Sequence, residues 1–581
     1  MEDAGADKLA AGQIVAALAE AEPWRAHYAH PCAWDQTFPP LSLPAMFLAS
    51  AAEYPERPLV EFMGRRYSYR QLAAEARAFA AGLALLGIRR GDRVGLFLPN
   101  VPIYVPAYYG ALMLGCVVVN FSPLYTAAEL EAQVADSGTR LMVTLDVPAL
   151  LPKAIEVLRD SALEQLVVGR LAEMLPTLKG LALRVLGRSQ LTPLPRDPAV
   201  TSWKQALGPV ELEPVAVDPL ADVALIQYTG GTTGSPKGAM LTHQNLTANA
   251  RQIEAIDPHQ HERDMMLGAL PLFHVFANSA VLNRTVYDGG CIAMLPRFEV
   301  GQVLSTIRRV RPTTFPGVPT MFQALGDAPG LRKDDFAGIR ACISGGAGLP
   351  GPARADFVAA TGANIVEGYG LTECAGVVSV NPYEGDNRAG TIGQPLPGTR
   401  LRLLDKLDPN ADAPPGEPGE LAVLGPQVMA GYWNLPQADL GTFTIRDGQR
   451  WLRTGDVAVF DADGFVRIVD RVKDMISVGG FKVYPSRVEA VLLEHPAVKE
   501  ALVIGVADAR LGERPRAYVA LKTDPVALVS LKHHPAEALE EWLNARVGKH
   551  ERVDAVVIRD SLPKTMIGKL DRKALRAEVA E

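Results

Sequence analysis

The stretch Tyr228-Thr229-Gly230-Gly231-Thr232-Thr233-Gly234-Ser235-Pro236-Lys237-Gly238 constrains this chain more than any other. An apolar run, Val223 to Ile226, precedes it and predicts a strand, and Thr242 to Arg251 after it predicts a helix. Glycines let the backbone turn tightly and turn its N–H groups toward an anion. The threonines and Ser235 add hydroxyl donors, and Lys237 adds a positive charge on a flexible stem. Such a loop suits phosphate groups. It is not the loop of ordinary nucleoside triphosphatases, because Pro236 stands before the lysine and Gly238 after it, where a hydroxyl would be needed. The dinucleotide fingerprint fails on spacing. Composition alone also fits a plain turn with no ligand.

Strands and helices alternate around this loop. Residues 44–70 pair an amphipathic helix with a hairpin-like stretch, Leu59 to Tyr69. Ser68 and Gln71 form a capping-box pattern before the stripe Leu72, Ala76, Phe79, Leu83 and Leu86, which Gly87 ends. Arg93 to Leu98 predicts a buried strand, Thr126 and Glu129 a second capping box, and Leu141 to Leu145 a further strand. The alternation predicts an α/β fold with doubly wound, parallel subdomains. Residues 150–215 are less regular. Within them Val168 to Leu191 mixes leucines with Arg170, Lys179, Arg184 and Arg188, a composition that fits an anionic membrane surface or an ordinary packed element; Pro176, Gly180 and Gly187 weigh against one continuous helix.

A second α/β stretch runs from Met265 to about Asn381, and Thr399 to Val469 then turns to short β-like runs split by Asp/Gly/Pro turns. The charged knot Arg471 to Asp474 marks a domain boundary. This divides the chain into 1–470, a hinge at 471–474, and a small C-terminal α+β domain, 475–581, whose residues from Pro485 onward read β-α-β-β-α.

At 581 residues and net charge −7, nothing points to nucleic acid as the main partner. Five scattered cysteines fit free thiols in a reducing cytosol. Met1 to Glu22 does not resemble a signal peptide, and no run reaches the roughly 18 uninterrupted apolar residues of a membrane span. The nearest, Val94 to Tyr125, is broken by Pro99, Asn100, Pro102 and Pro106, and reads as buried strand, helix and strand.

Several constellations carry chemistry. Gly368-Tyr369-Gly370-Leu371-Thr372-Glu373 offers an aromatic face, a hydroxyl and a carboxylate, suited to a base, a phosphate oxygen and Mg²⁺; it also reads as a helix cap with an exposed glutamate. Trp451-Leu452-Arg453-Thr454-Gly455-Asp456 places a carboxylate fit for ribose hydroxyls, or a turn aspartate. Asp470 to Asp474 is also a plausible solvated charge cluster. Lys569 follows a glycine turn and, alone, reads as an exposed lysine. His274 is the one ionisable group in the run Pro271 to Phe276, fit for a core position or for a place beside a carboxylate substrate.

In this order and at these separations the blocks resemble the adenylate-forming (acyl-CoA synthetase, AMP-binding) superfamily over about residues 45–577, and are most similar to bacterial long-chain fatty-acid–CoA ligases. The resemblance is carried above all by Tyr228 to His243, Glu367 to Pro382 and Gly425 to Trp433. It implies a large N-terminal region of doubly wound α/β subdomains plus a β-rich subdomain, and a small mobile C-terminal domain. It implies that Thr229, Gly230, Gly231, Thr232, Thr233, Gly234 and Lys237 hold the β- and γ-phosphates of ATP, and that Tyr369 stacks on adenine beside Gly345, Gly346 and Ala347. Thr372 would touch the α-phosphate, Glu373 with Thr232 would hold Mg²⁺, and Asp456 and Arg471 would hold the ribose. Lys473 would lie at the hinge, Lys569 would reach the α-phosphate and acyl carboxylate, and Gly479, Gly480 and Phe481 would meet the pantetheine arm of CoA. His274, Val318 and Met321 would border the acyl tunnel.

The resemblance further implies ATP, Mg²⁺ and CoA as cofactor and co-substrates and a fatty acid as partner, and it favours a homodimer. The cysteines fit a cytoplasmic setting, and the composition of Val168 to Leu191 leaves open peripheral contact on the inner face of the cell membrane, an ordinary packed element being the favoured reading. Two departures stand out: His550-Glu551-Arg552-Val553 replaces a Tyr-Lys-x-Pro-like stretch, which puts CoA-phosphate contacts there in doubt, and Arg487 replaces a common glutamate beside Glu489. Rival readings are an acyl-AMP ligase that loads a carrier protein, a medium-chain or aryl-CoA ligase, and a fatty-acid-binding regulatory protein. The uninterrupted run Asp470 to Tyr484 favours CoA over a carrier, and Lys237, Glu373 and Lys569 favour catalysis.

Overall fold

The predicted strand forms as Val223–Thr229, but the chain then doubles back as a second strand, Lys237–Thr242, before the helix His243–Ala255 begins. The two strands flanking residues 230–235 therefore pair antiparallel, with Thr229 opposite Lys237. This corrects the expected strand-to-helix loop. The computed structural model describes residues 22–229, 236–260, 262–406, 408–522, 528–531, 534–565 and 569–580. Gly230, Gly231, Thr232, Thr233 and Gly234 lie outside the described residues, as do the three residues before Lys569.

The hairpin belongs to an eight-stranded sheet in which Val223–Thr229, Val117–Asn120, Arg93–Leu96, Thr139–Leu145, Gln165–Gly169 and Val200–Ser202 run parallel. Between two of these strands, all ten residues of the helix Tyr104–Met113 are buried, as an apolar-all-round helix requires. The stretch Val94 to Tyr125 is thus buried strand, helix and strand, as read from its breaks. Thr126 and Glu129 complete a reciprocal capping box, while Ser68 accepts from the Gln71 N–H. A nine-stranded sheet holds Ile365–Tyr369, Ala341–Ser344, Thr314–Gly317, Met265–Gly268, Cys291–Met294 and Pro58–Phe62 as its parallel centre. A third, antiparallel sheet of five strands occupies residues 400–471, and a fourth of five strands lies within residues 476–559.

Two expectations need correction. Residues 151–186 are more regular than expected, with helix Leu151–Asp160, strand Gln165–Gly169 and helices Leu171–Met174 and Thr177–Leu186, whereas beyond them only the strand Val200–Ser202 and a short turn of helix interrupt irregular chain as far as residue 215. Val168 to Leu191 is not one continuous helix, as its Pro176 and Gly187 led one to expect: Pro176 and Gly187 bound the helix Thr177–Leu186. Gly180 sits inside it because a Cβ there would lie 2.2 Å from the Ala172 carbonyl oxygen. From Pro485 onward the order is α-β-β-α-β-α, not β-α-β-β-α. Pro485 opens the helix Pro485–Leu493, since a proline's fixed φ suits a first helical turn, and the hairpin Ile476–Val478/Phe481–Val483 comes before it. All five cysteines are free thiols, and among the described residues no helix is long and apolar enough to cross a membrane.

Candidate active site

Parallel strands end together at one edge of the nine-stranded sheet. There Thr314–Gly317 leads to Val318, Ala341–Ser344 to Gly345, Gly346 and Ala347, and Ile365–Tyr369 to Thr372 and Glu373. All of these residues line one cavity of about 1960 Å³. The carboxyl ends of parallel strands are where open α/β sheets hold ligands. Thr229 and Lys237 of the hairpin, His274, Met321, Asp456, Arg471, Lys473 and Lys569 line the same chamber. Of the described residues expected at the site, only Gly479, Gly480 and Phe481 stand apart. They form a hairpin turn in which Phe481 is 61% exposed and stacks on His550 at 5.1 Å.

Asp456 is the organising carboxylate. It lies inside the strand Gln449–Phe460, opposite Arg471 on Val466–Arg471, and is not a turn residue. The Tyr369 hydroxyl donates to Oδ2 at 2.5 Å and Arg471 Nε donates to Oδ1 at 3.1 Å. Burial and then the Asp456 charge keep the Tyr369 hydroxyl protonated well above its ordinary range. An aromatic ring, a carboxylate and a guanidinium are therefore fixed as one unit before any ligand arrives.

Lys569 is delivered into this unit from the C-terminal end of the chain. The Lys569 N–H donates to Thr565 Oγ1 at 3.2 Å and its carbonyl accepts from the Thr565 N–H at 2.7 Å. The side chain passes over Gly346: a Cβ at that position, where φ is +86°, would lie 3.0 Å from Cε and 3.5 Å from Nζ. Only a glycine leaves that lane open. Burial and the Arg471 guanidinium push the Lys569 ammonium down to about 8, with Asp456 pulling the other way. Burial and then the Lys569 charge bring His274 down to about 4. Its Nδ1 accepts the Phe276 N–H at 3.3 Å, so the neutral ring carries its proton on Nε2.

The helix that follows is moored by carboxylates. Arg572 pairs with Glu489 at 2.5 Å, and Arg576 with Asp474 at 2.9 Å. Glu489 thus holds the Lys569 segment in place, while the neighbouring Arg487 pairs with Glu551 at 3.3 Å and is mostly exposed. Lys473 lies in the short turn Val472–Asp474, its pKa lowered by burial and then by Arg471.

Glu373 has a partner that sequence reasoning assigned no role. The Tyr432 hydroxyl donates to Glu373 Oε1 at 2.6 Å, and Lys237 Nζ stands 4.9 Å from the centre of the Tyr432 ring. Tyr432 belongs to the run Gly425 to Trp433, the only signal available for it. The carboxylate of Glu373 and the hydroxyl of Thr372 face the cavity as hard oxygen donors, a set that suits Mg²⁺. Thr232, expected to share that ion, lies outside the described residues.

The chain's similarities match this arrangement. The AMP-binding enzyme family matches residues 47–433, and the AMP-binding enzyme C-terminal domain matches residues 487–569. A long-chain-fatty-acid–CoA ligase of Bacillus subtilis (strain 168) is 37% identical over 566 residues, covering 96% of this chain and 98% of that protein. ATP-bound MatB from Rhodopseudomonas palustris superposes with a TM-score of 0.79 at 27% identity, covering 93% of this chain and 99% of that one. The anthranilate CoA ligase AuaEII in complex with anthranoyl-AMP reaches 0.80 at 27% identity, covering 94% and 98%. With its sheets, its cavity and both matched regions in agreement, the chain belongs to the AMP-binding enzyme family.

Proposed function

We propose that this protein is an AMP-forming ligase that activates a long-chain fatty acid with ATP and passes the acyl group to CoA, giving acyl-CoA, AMP and pyrophosphate. The observation that carries the reading is the convergence of Lys569 with Asp456, Arg471, Gly346 and His274 in one chamber. A chamber of about 1960 Å³ exceeds the roughly 300–1,000 Å³ of ordinary small-molecule sites, leaving room for a long acyl chain beside a nucleotide.

A carboxylate is a poor acyl donor because its leaving group would be oxide. One carboxylate oxygen of the acid attacks the α-phosphorus of ATP; the new O–P bond forms as the bond to pyrophosphate breaks. Negative charge gathers on phosphate, and Lys569 and Lys237 offset it in a site with little water. Tyr369 gives the adenine a flat face beside Gly345, Gly346 and Ala347, Asp456 and Arg471 take the ribose hydroxyls, and Thr372 contacts the α-phosphate. Neutral His274 offers its Nε2–H to the acyl carboxylate without adding charge, and Val318 and Met321 border the acyl chain. Mg²⁺ at Glu373, shared with Thr232, would supply further charge compensation to the phosphates.

In the second half-reaction the CoA thiolate attacks the acyl carbon and AMP leaves with the bonding pair. Lys569 and the thiol need the same place in turn. Rotation about Arg471 to Asp474 would withdraw Lys569 and bring Gly479, Gly480 and Phe481 toward the chamber, accounting for their present distance from it. The free thiols support a cytosolic setting. A homodimer and peripheral membrane contact complete the proposal.

The test is acid-dependent release of AMP and pyrophosphate across saturated acids from acetate to stearate, with and without CoA. CoA-dependent AMP release that peaks at long chains is the expected result. Pyrophosphate release that no CoA turnover follows would reassign the acceptor to a carrier protein, and no release with any acid would reassign the protein to binding.

A further inference from the structure

The helix Thr177–Leu186 lies on the surface with its apolar side outward. Leu178 and Leu186 are 82% and 86% exposed, and Leu181 and Val185 are each 59% exposed. At 100° per residue, Leu181, Val185, Leu178, Ala182 and Leu186 fill one arc of roughly 140°. Lys179 bounds one edge of that arc and Arg184 the other. The opposite side is the one that packs: Gly180 sits against Ala172, and Leu183 lines the cavity. Between residues 170 and 190 stand four cations, Arg170, Lys179, Arg184 and Arg188, against one carboxylate, Glu173, in a chain whose net charge is −7.

This helix also borders the chamber: Leu183 lines it, together with Met63, Leu175, His274 and the exposed Gln190. Lys179 Nζ donates to the Met63 carbonyl at 2.8 Å, and Gly64 stands against Pro176, so the helix is braced on the turn between the strands Pro58–Phe62 and Arg65–Ser68.

We infer that the helix Thr177–Leu186 docks on an anionic lipid surface and sets the acyl mouth of the cavity at the lipid interface; the inference rests on the fatty-acid reading of that cavity. The four large apolar side chains enter the acyl boundary, and Arg188 meets lipid phosphates, flanked by Arg184, which pairs with Glu173 at 3.1 Å, and by Lys179 on the Met63 carbonyl. A second copy of this chain is the poorer occupant, because a two-fold contact through this face would set the same cations against one another. A long-chain acid partitions into membranes, so a mouth held at the interface receives it without passage through water.

The test uses the full chain with vesicles of equal parts phosphatidylglycerol and phosphatidylcholine, against phosphatidylcholine alone. Leu178→Gln with Leu186→Gln changes two exposed side chains that do not line the cavity. Wild type should sediment with the anionic vesicles and much less with neutral ones, and the double variant should lose on the order of tenfold in partition. Its turnover of vesicle-borne acid should fall in parallel, while turnover of a shorter acid dissolved in buffer stays at the wild-type rate. Equal partition of variant and wild type would overturn the inference, as would a fall in oligomeric mass on substitution, which would assign the face to a second copy. Absence of turnover with both acid sources would defeat the ligase reading and leave the vesicle result to stand by itself.

Discussion

Lys569→Arg tests the site through a proton equilibrium. Burial and the Arg471 guanidinium bring the Lys569 ammonium from its ordinary 10.5 to about 8. That displacement corresponds to about 3 kcal/mol held against the charged amine in the free enzyme. In the proposed reaction the charge is what Lys569 offers to phosphate, so kcat/KM for ATP in the half-reaction without CoA should follow the protonated fraction of the free enzyme. For a group that titrates near 8, this fraction falls about tenfold between about pH 7 and about pH 9.

The assay is pyrophosphate release at saturating fatty acid; leaving CoA out removes its thiol ionisation from the profile. His274, at about 4, is neutral throughout the window. An arginine keeps its charge over the whole range, so the variant's profile should be flat whatever its absolute rate. A wild-type profile flat to pH 9, or an equal fall in the arginine variant, would refute the assignment. Unfolding does not supply the same signature. Because the folded pKa lies below the unfolded one, the unfolded chain binds more protons between the two values, and this group makes the fold more stable as pH rises through that window.

Two further outcomes follow from geometry. Asp456→Asn removes the charge that holds Tyr369 and Arg471, and should raise KM for ATP by about ten- to a hundredfold, the equivalent of roughly 1.5–3 kcal/mol, with KM for the acid unchanged; an unchanged KM for ATP would take this carboxylate out of nucleotide binding. At Gly393, where φ is +74°, a Cβ would sit 2.0 Å from the Val380 carbonyl, so Gly393→Ala should cost at least about 3 kcal/mol in denaturant unfolding, and a wild-type midpoint would contradict the packing described.

Local signals were legible where they depend on neighbours in the chain. Thr126 with Glu129 announces its helix, and the unbroken apolarity of Tyr104 to Met113 announces burial. Gly455-Asp456 misleads as a turn. Gly455 has φ of +71°, but the strand continues through it, and Asp456 gains its meaning from Arg471, which only cross-strand pairing brings opposite. Lys237–Thr242 hides as a strand because Lys237, Gly238 and Ala239 carry little β preference; its pairing with Val223–Thr229 decides it. Tyr432 and Glu373 are 59 residues apart, a contact no local pattern encodes. Glu489, noted for standing beside a departure at 487, turns out to hold Arg572.

The chamber has unequal ends. Exposed Gln190 lines it where the acyl chain is proposed to enter, whereas Lys569 and Arg572 of the C-terminal segment line it where the nucleotide is proposed to sit. With the acid entering beside Gln190 and ATP held beneath Lys569, as proposed, the acid should exchange while the C-terminal segment stays in place, and ATP should not. In steady-state terms, the nucleotide is the committed substrate and the acid is reversible until adenylation, so an excess of unlabelled acid added after ATP should still chase labelled acid from the enzyme. Chain length is then selected by repeated sampling with that segment in place, before any phosphoanhydride is broken.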